Sequence, residues 1–374
     1  KLSCSPESNV GKVAFILIQD QLISSILAFI ESDTTTETDF NNLALESFAY
    51  QYENNIPFKQ FSIQQSVTPR TAKTWRDIPP VPINAFKSVL LTCCEPNNDG
   101  RTFMTSGTTQ NGVRGKSYHP VLDVYDQSMI KNFKKRFLGN INKIKMGILF
   151  PNEEAMPNSS LAHYLSLAVS NFGTRSSSYL LTPEGINFQR VFEDLECAEE
   201  TSAPYALSGA SFSLVHLLDE MEKQNKTYTL PTGSKILDTG GFKGQSRELD
   251  QNEFYEQLSR AFGVSRSDCI NMYGMTELST QFYDDGNSLC PSIKTGPHWI
   301  KSRVINPLTK SDVQMGDKGV LVHCDLAHFN VVSTILTEDS GVEVENGFLL
   351  LGRADGAEAK GCSMAVDEFL RANQ

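Results

Sequence analysis

A loop rich in hydroxyl residues and glycines is the first feature of this sequence that could perform chemistry. It runs over Met104-Thr-Ser-Gly-Thr-Thr-Gln-Asn-Gly-Val-Arg-Gly-Lys116 and ends with two basic residues, Arg114 and Lys116. The backbone N–H groups and hydroxyls of such a loop can surround a polyphosphate. It is not a Walker loop, because Gln110 stands where that motif requires a glycine. The composition therefore predicts phosphate binding, although exposed loops without any function share it.

A second segment makes the predicted chemistry of the first loop more specific. Asn271-Met-Tyr-Gly-Met-Thr-Glu277 follows an apolar run and provides an aromatic ring, a hydroxyl and a carboxylate in fixed order. Together with the first loop, it resembles the signature pair of the adenylate-forming superfamily, which includes acyl-CoA synthetases, luciferase and the adenylation domains of peptide synthetases. The resemblance implies that Thr276 touches the α-phosphate of ATP, Glu277 holds Mg²⁺ and Tyr273 stacks near adenine. Attack of a carboxylate on that phosphate builds negative charge, which a metal ion and positioned donors must stabilise.

Three shorter motifs follow in the order that this superfamily has. Asp238-Thr-Gly-Gly-Phe-Lys243 resembles its adenine-binding Gly-Gly turn, and Thr337-Glu-Asp339 matches the position whose Asp holds the ribose hydroxyls, with Glu338 in place of the usual glycine. Gly352-Arg-Ala-Asp355 resembles the Gly-Arg-x-Asp hinge, whose Arg contacts the nucleotide. Each motif alone is typical of an exposed turn, and only the order of all five favours a nucleotide site.

The resemblance implies one residue set for each part of the nucleotide and one for catalysis. The phosphates are assigned to Thr105, Ser106, Gly107, Thr108, Thr109 and Lys116, adenine to Gly240, Gly241 and Tyr273, and ribose to Asp339 and Arg353. The catalytic residues are Cys362, Glu277, Thr276 and Lys116, and ATP and Mg²⁺ are the expected cofactors.

The end of the chain matches a narrower family. Glu358-Ala-Lys-Gly-Cys-Ser-Met-Ala-Val366, with the segments DIPPVPINAFK and DTGGFKGQ, resembles LuxE-type acyl-protein synthetases, the fatty-acid-activating components of bacterial fatty acid reductase. The match extends from about Ile78 to Leu370. It implies that a long-chain fatty acid and ATP give acyl-AMP, and that Cys362 then takes the acyl group as a thioester for an acyl reductase partner.

The surroundings of Cys362 in the sequence fit such a role. It lies next to Gly361 on an arm that we expect to move, and Lys360 and a short helix starting at Ser363 would favour its thiolate. A tethered thiol also needs no coenzyme A site, because attachment raises its effective concentration at the acyl-AMP. The other interpretation of Cys362 is a small buried residue in a tail helix.

Two further functions stay open. The superfamily's usual lid domain carries a catalytic lysine, and we expect no such domain after Asp355. The chain could therefore be a lidless acyl-adenylate ligase that passes the acyl group to coenzyme A or a carrier protein. It could also be a non-catalytic, nucleotide-binding subunit of a reductase complex. His216 is a candidate for lining the acyl pocket, although a buried core histidine would look the same.

The elements that must position these motifs alternate between strands and helices, which predicts an α/β fold. We expect the large-domain fold of adenylate-forming enzymes, with mixed sheets and flanking helices. The domains would be a core over 1–350, with a helical subdomain over about 1–95, and a short arm over 351–374 that carries Cys362. Residues Trp75 to Lys87 are rich in proline and predict an extended connector. Helices are predicted over Leu161–Phe172, Phe212–Lys223 and Asp250–Phe262, and strands over Met146–Phe150, Lys235–Asp238 and Gly319–His323.

Composition excludes several other classes of protein. A net charge of −11 and a pI near 5.1 argue against nucleic acid or an anionic membrane as the main partner. Eight cysteines at irregular spacing indicate free thiols in a reducing compartment, and hence a cytoplasmic location. The most apolar stretch, Val13 to Ile30, contains Asp20 and predicts an amphipathic core segment with no stable membrane insertion. The pair His323 and His328 is interpreted as structural.

Overall fold

The computed structural model describes residues 7–105, 113–241 and 246–373, with side chains from residue 17 onward. Its helices are α1 (Glu7–Glu31), α2 (Glu37–Asn54), α3 (Ile56–Gln64), α4 (Ala85–Ser88), α5 (Asp123–Phe133), α6 (Ser160–Phe172), α7 (Phe188–Thr201), α8 (Ser211–Lys223), α9 (Gln251–Phe262) and α10 (Gly356–Ala372). Its strands are β1 (Val81–Pro82), β2 (Arg101–Met104), β3 (Lys116–His119), β4 (Lys145–Leu149), β5 (Ser178–Tyr179), β6 (Leu181–Thr182), β7 (Gly185–Ile186), β8 (Tyr205–Ala210), β9 (Lys235–Thr239), β10 (Cys269–Tyr273), β11 (Phe282–Tyr283), β12 (Ile293–Lys294), β13 (Ile300–Ile305), β14 (Lys318–Asp325), β15 (Thr334–Val344) and β16 (Gly347–Arg353).

Two larger sheets organise these elements. In the first, the order is β11-β10-β9-β8-β4-β5, and all neighbouring pairs are parallel except β10 with β11. Every residue of β8 is buried, as expected for a parallel strand covered on both faces. The second sheet has the order β12-β16-β15-β14-β13 and is antiparallel, apart from β1, which pairs in parallel with β15. The predicted α/β fold with mixed sheets is confirmed.

The predicted helix ends are also confirmed, because local capping determines them. The Ser159 side chain accepts the N–H of Ala162 at the start of α6, and Asp250 caps α9 in the same way. At the end of α9, Gly263 has φ +63°, a left-handed conformation that favours glycine. The predicted strands agree with β4, β9 and β14 to within one or two residues.

The N-terminal region is helical as predicted. Helix α1 contains the apolar stretch and buries Leu22, Ile26 and Ile30, which lie one helical turn apart. No helix among the described residues is long and apolar enough to cross a membrane. Helices α1 to α3 share one hydrophobic cluster with strands of the second sheet, so they cover that sheet.

The proline-rich connector is extended only in part. It contains the short strand β1 and then turns into α4, where the prediction of a fully extended segment is wrong. No proline lies between Pro82 and Val89, and the N–H of Val89 donates to the carbonyl of Ala85 at 3.0 Å.

The end of the chain forms a longer helix than predicted. Helix α10 starts at Gly356 rather than at Ser363, and it packs its buried side against the second sheet. Packing explains the difference, since Phe369 is fully buried with its ring centroid 4.9 Å from that of Phe61. Strand β16 runs across the predicted boundary at 350–351, and the division into core and arm stays a prediction.

Candidate active site

The two ends of the hydroxyl-rich loop are joined at the base of the β2–β3 hairpin. The N–H of Thr105 donates to the carbonyl of Gly115 at 3.0 Å, and the N–H of Gly115 donates to Oγ1 of Thr105 at 2.9 Å. The predicted phosphate ligands Ser106, Gly107, Thr108 and Thr109 lie outside the described residues. The structure thus fixes where the loop begins and ends.

The end of this loop lies against Glu277. A Cβ atom added to Gly115 would be 3.2 Å from Cγ2 of Thr105 and 3.4 Å from Oε1 of Glu277. The glycine therefore permits a close approach between the loop and the carboxylate. The two motifs are more than 150 residues apart in sequence, and the fold brings them into contact.

The segment after Glu277 is held by a buried carboxylate, Asp325. Its oxygens accept the N–H groups of Ser279 and Thr280, each at 2.8 Å, and the hydroxyl of Thr280 at 2.7 Å. Burial raises the pKa of Asp325 to about 6, although these donors oppose the shift. Thr276 is half-buried in the turn between β10 and this anchored segment.

A buried network of serines and histidines links the loop to the same segment. Ser117 Oγ lies 3.2 Å from Nε2 of both His119 and His328, and Nδ1 of His328 lies 2.9 Å from Oγ of Ser279. Burial lowers the pKa of His119 to about 3 and also lowers that of His328, so both imidazoles are neutral near pH 7. This neutral network joins β3, which carries Lys116, to the segment after Glu277.

Glu277 is a buried carboxylate, and only 6% of its surface is exposed. Burial raises its pKa to about 7, while the positive charges of Lys87 and Arg353 act in the opposite direction. Removing a carboxylate from water is costly, and a bound cation compensates that cost. A single carboxylate also suits Mg²⁺, which is usually held by one or two carboxylates together with substrate phosphates and water. The residues present therefore fit a magnesium–nucleotide complex.

The predicted adenine residues lie on neighbouring strands. Strands β9 and β10 are parallel with Thr239 opposite Met272, so Gly240 and Tyr273 follow side by side at the same edge of the sheet. A Cβ atom on Gly240 or Gly241 would meet no atom of the described residues within 4 Å. Gly240 has φ +79°, where other residues are strained.

The Tyr273 ring is mostly buried, and its hydroxyl faces the predicted ribose residues. The ring contacts Phe282, His323 and Phe348, and the hydroxyl donates to Oδ2 of Asp339 at 2.8 Å. Asp339 and Arg353 are partners on β15 and β16, with Nη1 of the arginine 3.5 Å from Oδ1 of the aspartate. The structure thus brings Tyr273, Asp339 and Arg353 together at one end of the site.

Lys116 follows Gly115 directly, but its side chain is exposed on β3, where the next three residues are buried. Arg353 and Lys87 are basic residues whose charges act on Glu277, and Lys87 is not among the residues predicted from the sequence. The ammonium of Lys87 donates to Oδ1 of Asn84 at 2.7 Å, and the amide of Asn84 donates to Glu338. The signal was available, because Lys87 is the only basic residue in the segment DIPPVPINAFK.

Cys362 is buried rather than presented on a mobile arm. Only 3% of its surface is exposed, and it packs in a cluster with Ile305, Val320, Val322 and Leu336. Burial raises the pKa of its thiol to about 11, and the nearby carboxylates of Glu338 and Glu358 act in the same direction. The expectation of a favoured thiolate is therefore wrong for this conformation, because the thiol faces the sheet instead of Lys360 or a helix N-terminus.

The thiol and the nucleotide residues lie on opposite faces of the second sheet. Val322 and His323 are successive residues of β14, so their side chains point to opposite faces. Val322 belongs to the same buried cluster as Cys362, whereas the ring of His323 contacts Tyr273. The same sheet therefore separates the predicted acyl acceptor from the predicted adenine site.

His216 lines an open groove beside α8. The groove has a volume of about 430 Å³, and its lining includes Leu181, Ile186, Phe188, Phe212 and Lys223. Its lining contains none of the residues around Glu277. However, α8 begins beside the Gly-Gly turn, where Ser211 Oγ donates to Oδ2 of Asp238 at 2.8 Å.

Comparisons with known proteins show the family to which this sequence is similar. The family model described as acyl-protein synthetase, LuxE, matches residues 8–371. Two relatives are named long-chain-fatty-acid–luciferin-component ligase: the one from Vibrio harveyi is 22% identical over 344 residues (89% of this chain and 88% of the relative), and the one from Aliivibrio fischeri is 22% identical over 346 residues (89% of each).

Solved structures show the same fold. A 2-hydroxyisobutyryl-CoA ligase in the postadenylation state, in complex with 2-HIB-AMP, aligns with a TM-score of 0.62 at 13% identity, over 85% of this chain and 68% of that chain. ATP-bound MatB from Rhodopseudomonas palustris aligns with a TM-score of 0.50 at 15% identity, over 67% of this chain. The alignment spans about half of MatB, 47% of its length. The predicted fold of adenylate-forming enzymes is confirmed.

Proposed function

We propose, because this chain belongs to the LuxE family of acyl-protein synthetases, that it uses ATP to activate a long-chain fatty acid and then loads the acyl group onto Cys362. The observation that carries the proposal is the contact of Gly115 with Glu277. That contact joins the end of a phosphate-binding loop to a buried carboxylate suited to Mg²⁺. Both would serve the triphosphate of one ATP molecule.

The first step forms acyl-AMP. A carboxylate oxygen of the fatty acid attacks the α-phosphorus, the bond to the β-phosphate breaks, and pyrophosphate leaves with the electron pair. Mg²⁺, when bound, would spread the charge of the phosphates, and Glu277 would hold it. Thr276 would donate its hydroxyl to the α-phosphate. Asp339, oriented by the hydroxyl of Tyr273 at 2.8 Å, would accept the ribose hydroxyls and fix the nucleotide for in-line attack.

The second step transfers the acyl group to sulfur. The thiolate of Cys362 attacks the acyl carbon, the bond from that carbon to the phosphate oxygen breaks, and AMP leaves, while the thiol proton goes to solvent. Since Cys362 contacts the opposite face of the sheet from Tyr273, α10 has to leave its place before this step. Among the described residues, two ion pairs tie it to the rest of the chain, Lys310 to Glu368 at 2.6 Å and Lys318 to Glu358 at 3.4 Å, and partly exposed pairs of this kind are weak. Gln65 and Ser340 also donate hydrogen bonds to Glu368 and Glu358, each at 2.9 Å.

The substrate class rests on the relatives and on the groove beside α8. The two bacterial relatives are named for a long-chain fatty acid, and 430 Å³ is within the size range of small-molecule sites. The apolar part of the groove lining, which includes Phe188 and Phe212, suits a hydrocarbon chain. A thioester on a surface helix would then be delivered to an acyl reductase partner.

Intact-protein mass spectrometry tests the acceptor. Wild type, Cys362→Ser and the control Cys197→Ser are incubated with ATP, Mg²⁺ and a panel of fatty acids; Cys197 is an exposed thiol. We expect one hydroxylamine-labile acyl group on wild type and on the control. The Cys362→Ser variant should keep acid-dependent ATP–pyrophosphate exchange and lose that adduct. A hydroxylamine-labile acyl group retained on Cys362→Ser would refute the assignment.

A second candidate function is favoured by the burial of the Cys362 thiol. If the docked helix is the working conformation, the acyl group would pass to coenzyme A or a carrier protein instead. The same variants separate the two functions, because Cys362→Ser would then form acyl-coenzyme A at the wild-type rate. Absence of AMP formation with every acid, in wild type as well, would leave only a nucleotide-binding subunit.

A further inference from the structure

Lys87 reaches the site through the pairing of β1 with β15. Val81 and Pro82 lie opposite Ile335 and Leu336, and the N–H of Ile83 continues the ladder to the carbonyl of Leu336 at 3.0 Å. The chain therefore enters α4 alongside the residues that lead to Asp339. This register brings Asn84 into contact with Glu338, the neighbour of Asp339.

The next residues of α4 contact the phosphate side of the site. A Cβ atom on Gly115 would lie 3.4 Å from Cβ of Phe86 and 3.4 Å from Oε1 of Glu277. Lys87 follows Phe86 and thus lies between two regions, Gly115 with Glu277 on one side and Glu338 with Asp339 on the other. The α-phosphate of ATP joins the ribose to the β-phosphate, so a nucleotide held by both regions would place that phosphate next to α4.

Lys87 carries a positive charge for which the described part of the chain provides no ion pair. Its side chain is half-buried, and its ammonium donates to the neutral amide oxygen of Asn84 at 2.7 Å. Asn84 is in turn fixed by its hydrogen bond to Glu338. A partly desolvated ammonium without a direct ion-pair partner is stabilised when an anion binds to it. Its charge already acts on the carboxylate of Glu277.

The geometry points to Lys87 as a catalytic residue that binds a non-bridging oxygen of the α-phosphate and stabilises the charge that develops there during adenylation. This inference rests on the proposed function. As the carboxylate oxygen bonds to phosphorus and the bond to pyrophosphate breaks, no proton is transferred, and the ammonium only offsets negative charge. Such a role requires a positively charged donor in a fixed position. Lys87 is that donor, and its hydrogen bond to Asn84 orients the ammonium.

The test compares Lys87→Gln with Lys87→Arg and with Lys235→Gln as a matched control. Lys235 is also partly buried, and it starts β9 at the opposite end of that strand from the Gly-Gly turn. Three quantities are measured in each variant: acid-dependent ATP–pyrophosphate exchange, ATP binding, and acyl transfer to Cys362 from supplied acyl-adenylate. Thermal unfolding shows whether each variant is folded.

We expect Lys87→Gln to slow the exchange by about 10²–10³-fold, the loss typical for one donor to a developing charge. ATP binding should change far less, acyl transfer from supplied acyl-adenylate should stay at the wild-type rate, and Lys87→Arg should recover part of the exchange. The control should resemble wild type throughout.

Three results would overturn the assignment. Exchange in a folded Lys87→Gln at the rate of the control would show that the ammonium does not act in adenylation. A parallel loss of exchange, acyl transfer and thermal stability, without recovery in Lys87→Arg, would show a structural role only. If wild type itself exchanges no pyrophosphate with any acid, the proposed function has failed, and the role of Lys87 in adenylation fails with it.

Discussion

Replacing Phe369 by alanine should release α10 and make Cys362 reactive. Phe369 is fully buried, and its ring packs against Phe61 with the centroids 4.9 Å apart. It lies two turns beyond Cys362 on the same helix and holds the C-terminal half of α10 against α3. The substitution therefore weakens docking of the helix without touching the environment of the thiol.

The expected size of the effect follows from burial and ionisation. A Phe→Ala change in a core costs about 3–5 kcal/mol, and each 1.4 kcal/mol is about tenfold in an equilibrium constant, so the docking equilibrium should shift by at least about 10²-fold. In the docked helix the pKa of Cys362 is about 11. At pH 8 about one such thiol in 10³ is ionised, against about one in four for a thiol of ordinary pKa. Alkylation should therefore proceed through the undocked helix, and its rate should rise by about 10²-fold in the variant.

Iodoacetamide labelling followed by peptide mass spectrometry measures this rate, with the exposed Cys197 as an internal reference. Phe137→Ala is the matched control, because Phe137 is equally buried but belongs to a separate cluster that does not include α10. Equal increases at Cys362 in both variants would indicate global unfolding and refute local release. No increase in Phe369→Ala would refute the role of this aromatic contact in docking.

Two further predictions concern the site. Asp325→Asn weakens the acceptor for the N–H groups of Ser279 and Thr280 and should lower the free energy of unfolding in urea by about 2–3 kcal/mol at pH 7. Burial raises the pKa of Asp325 to about 6 from an ordinary 3.8, so its ionisation destabilises the wild type as pH rises through that range. The difference in free energy of unfolding between wild type and variant should therefore narrow from pH 4 to pH 7. A difference that widens over this range would contradict the prediction. Tyr273→Phe removes the donor to Asp339 but keeps the ring contacts, so ATP should bind about tenfold more weakly in calorimetry while the melting temperature changes little; an unchanged Kd would be the contrary result.

The sequence was sufficient to predict those parts of the structure that neighbouring residues determine. Helices α6 and α9 begin and end within one residue of their predicted bounds, because the caps that set those ends, such as Asp250 and Gly263, depend on residues within one turn. The contact between Gly115, at the end of the hydroxyl-rich loop, and Glu277 could be expected only from the resemblance to adenylate-forming enzymes. Nothing in either segment alone specifies a partner more than 150 residues away.

Two features of the site could not be predicted because they depend on sheet pairing. The charge of Lys87 acts on Glu277 because the pairing of Val81 with Ile335 brings α4 to the site, and this long-range register has no local signal. The burial of Cys362 has the same origin, since the spacing of Cys362 and Phe369 on α10 has meaning only once the sheet that covers them is known. Sequence position near the end of a chain suggested mobility, but packing decides exposure.

On the proposed function, the tight enclosure of Cys362 makes the docked helix incompatible with an acylated thiol. Cys362 shares a buried cluster with Ile305, Val322 and Leu336, and close-packed interiors leave no room for an added hydrocarbon chain. On the proposed function, a loaded chain could not fold its helix back, whereas an empty chain could. The position of α10 would then distinguish charged from uncharged protein, so a reductase that binds the free helix would select loaded molecules and release them once they are emptied.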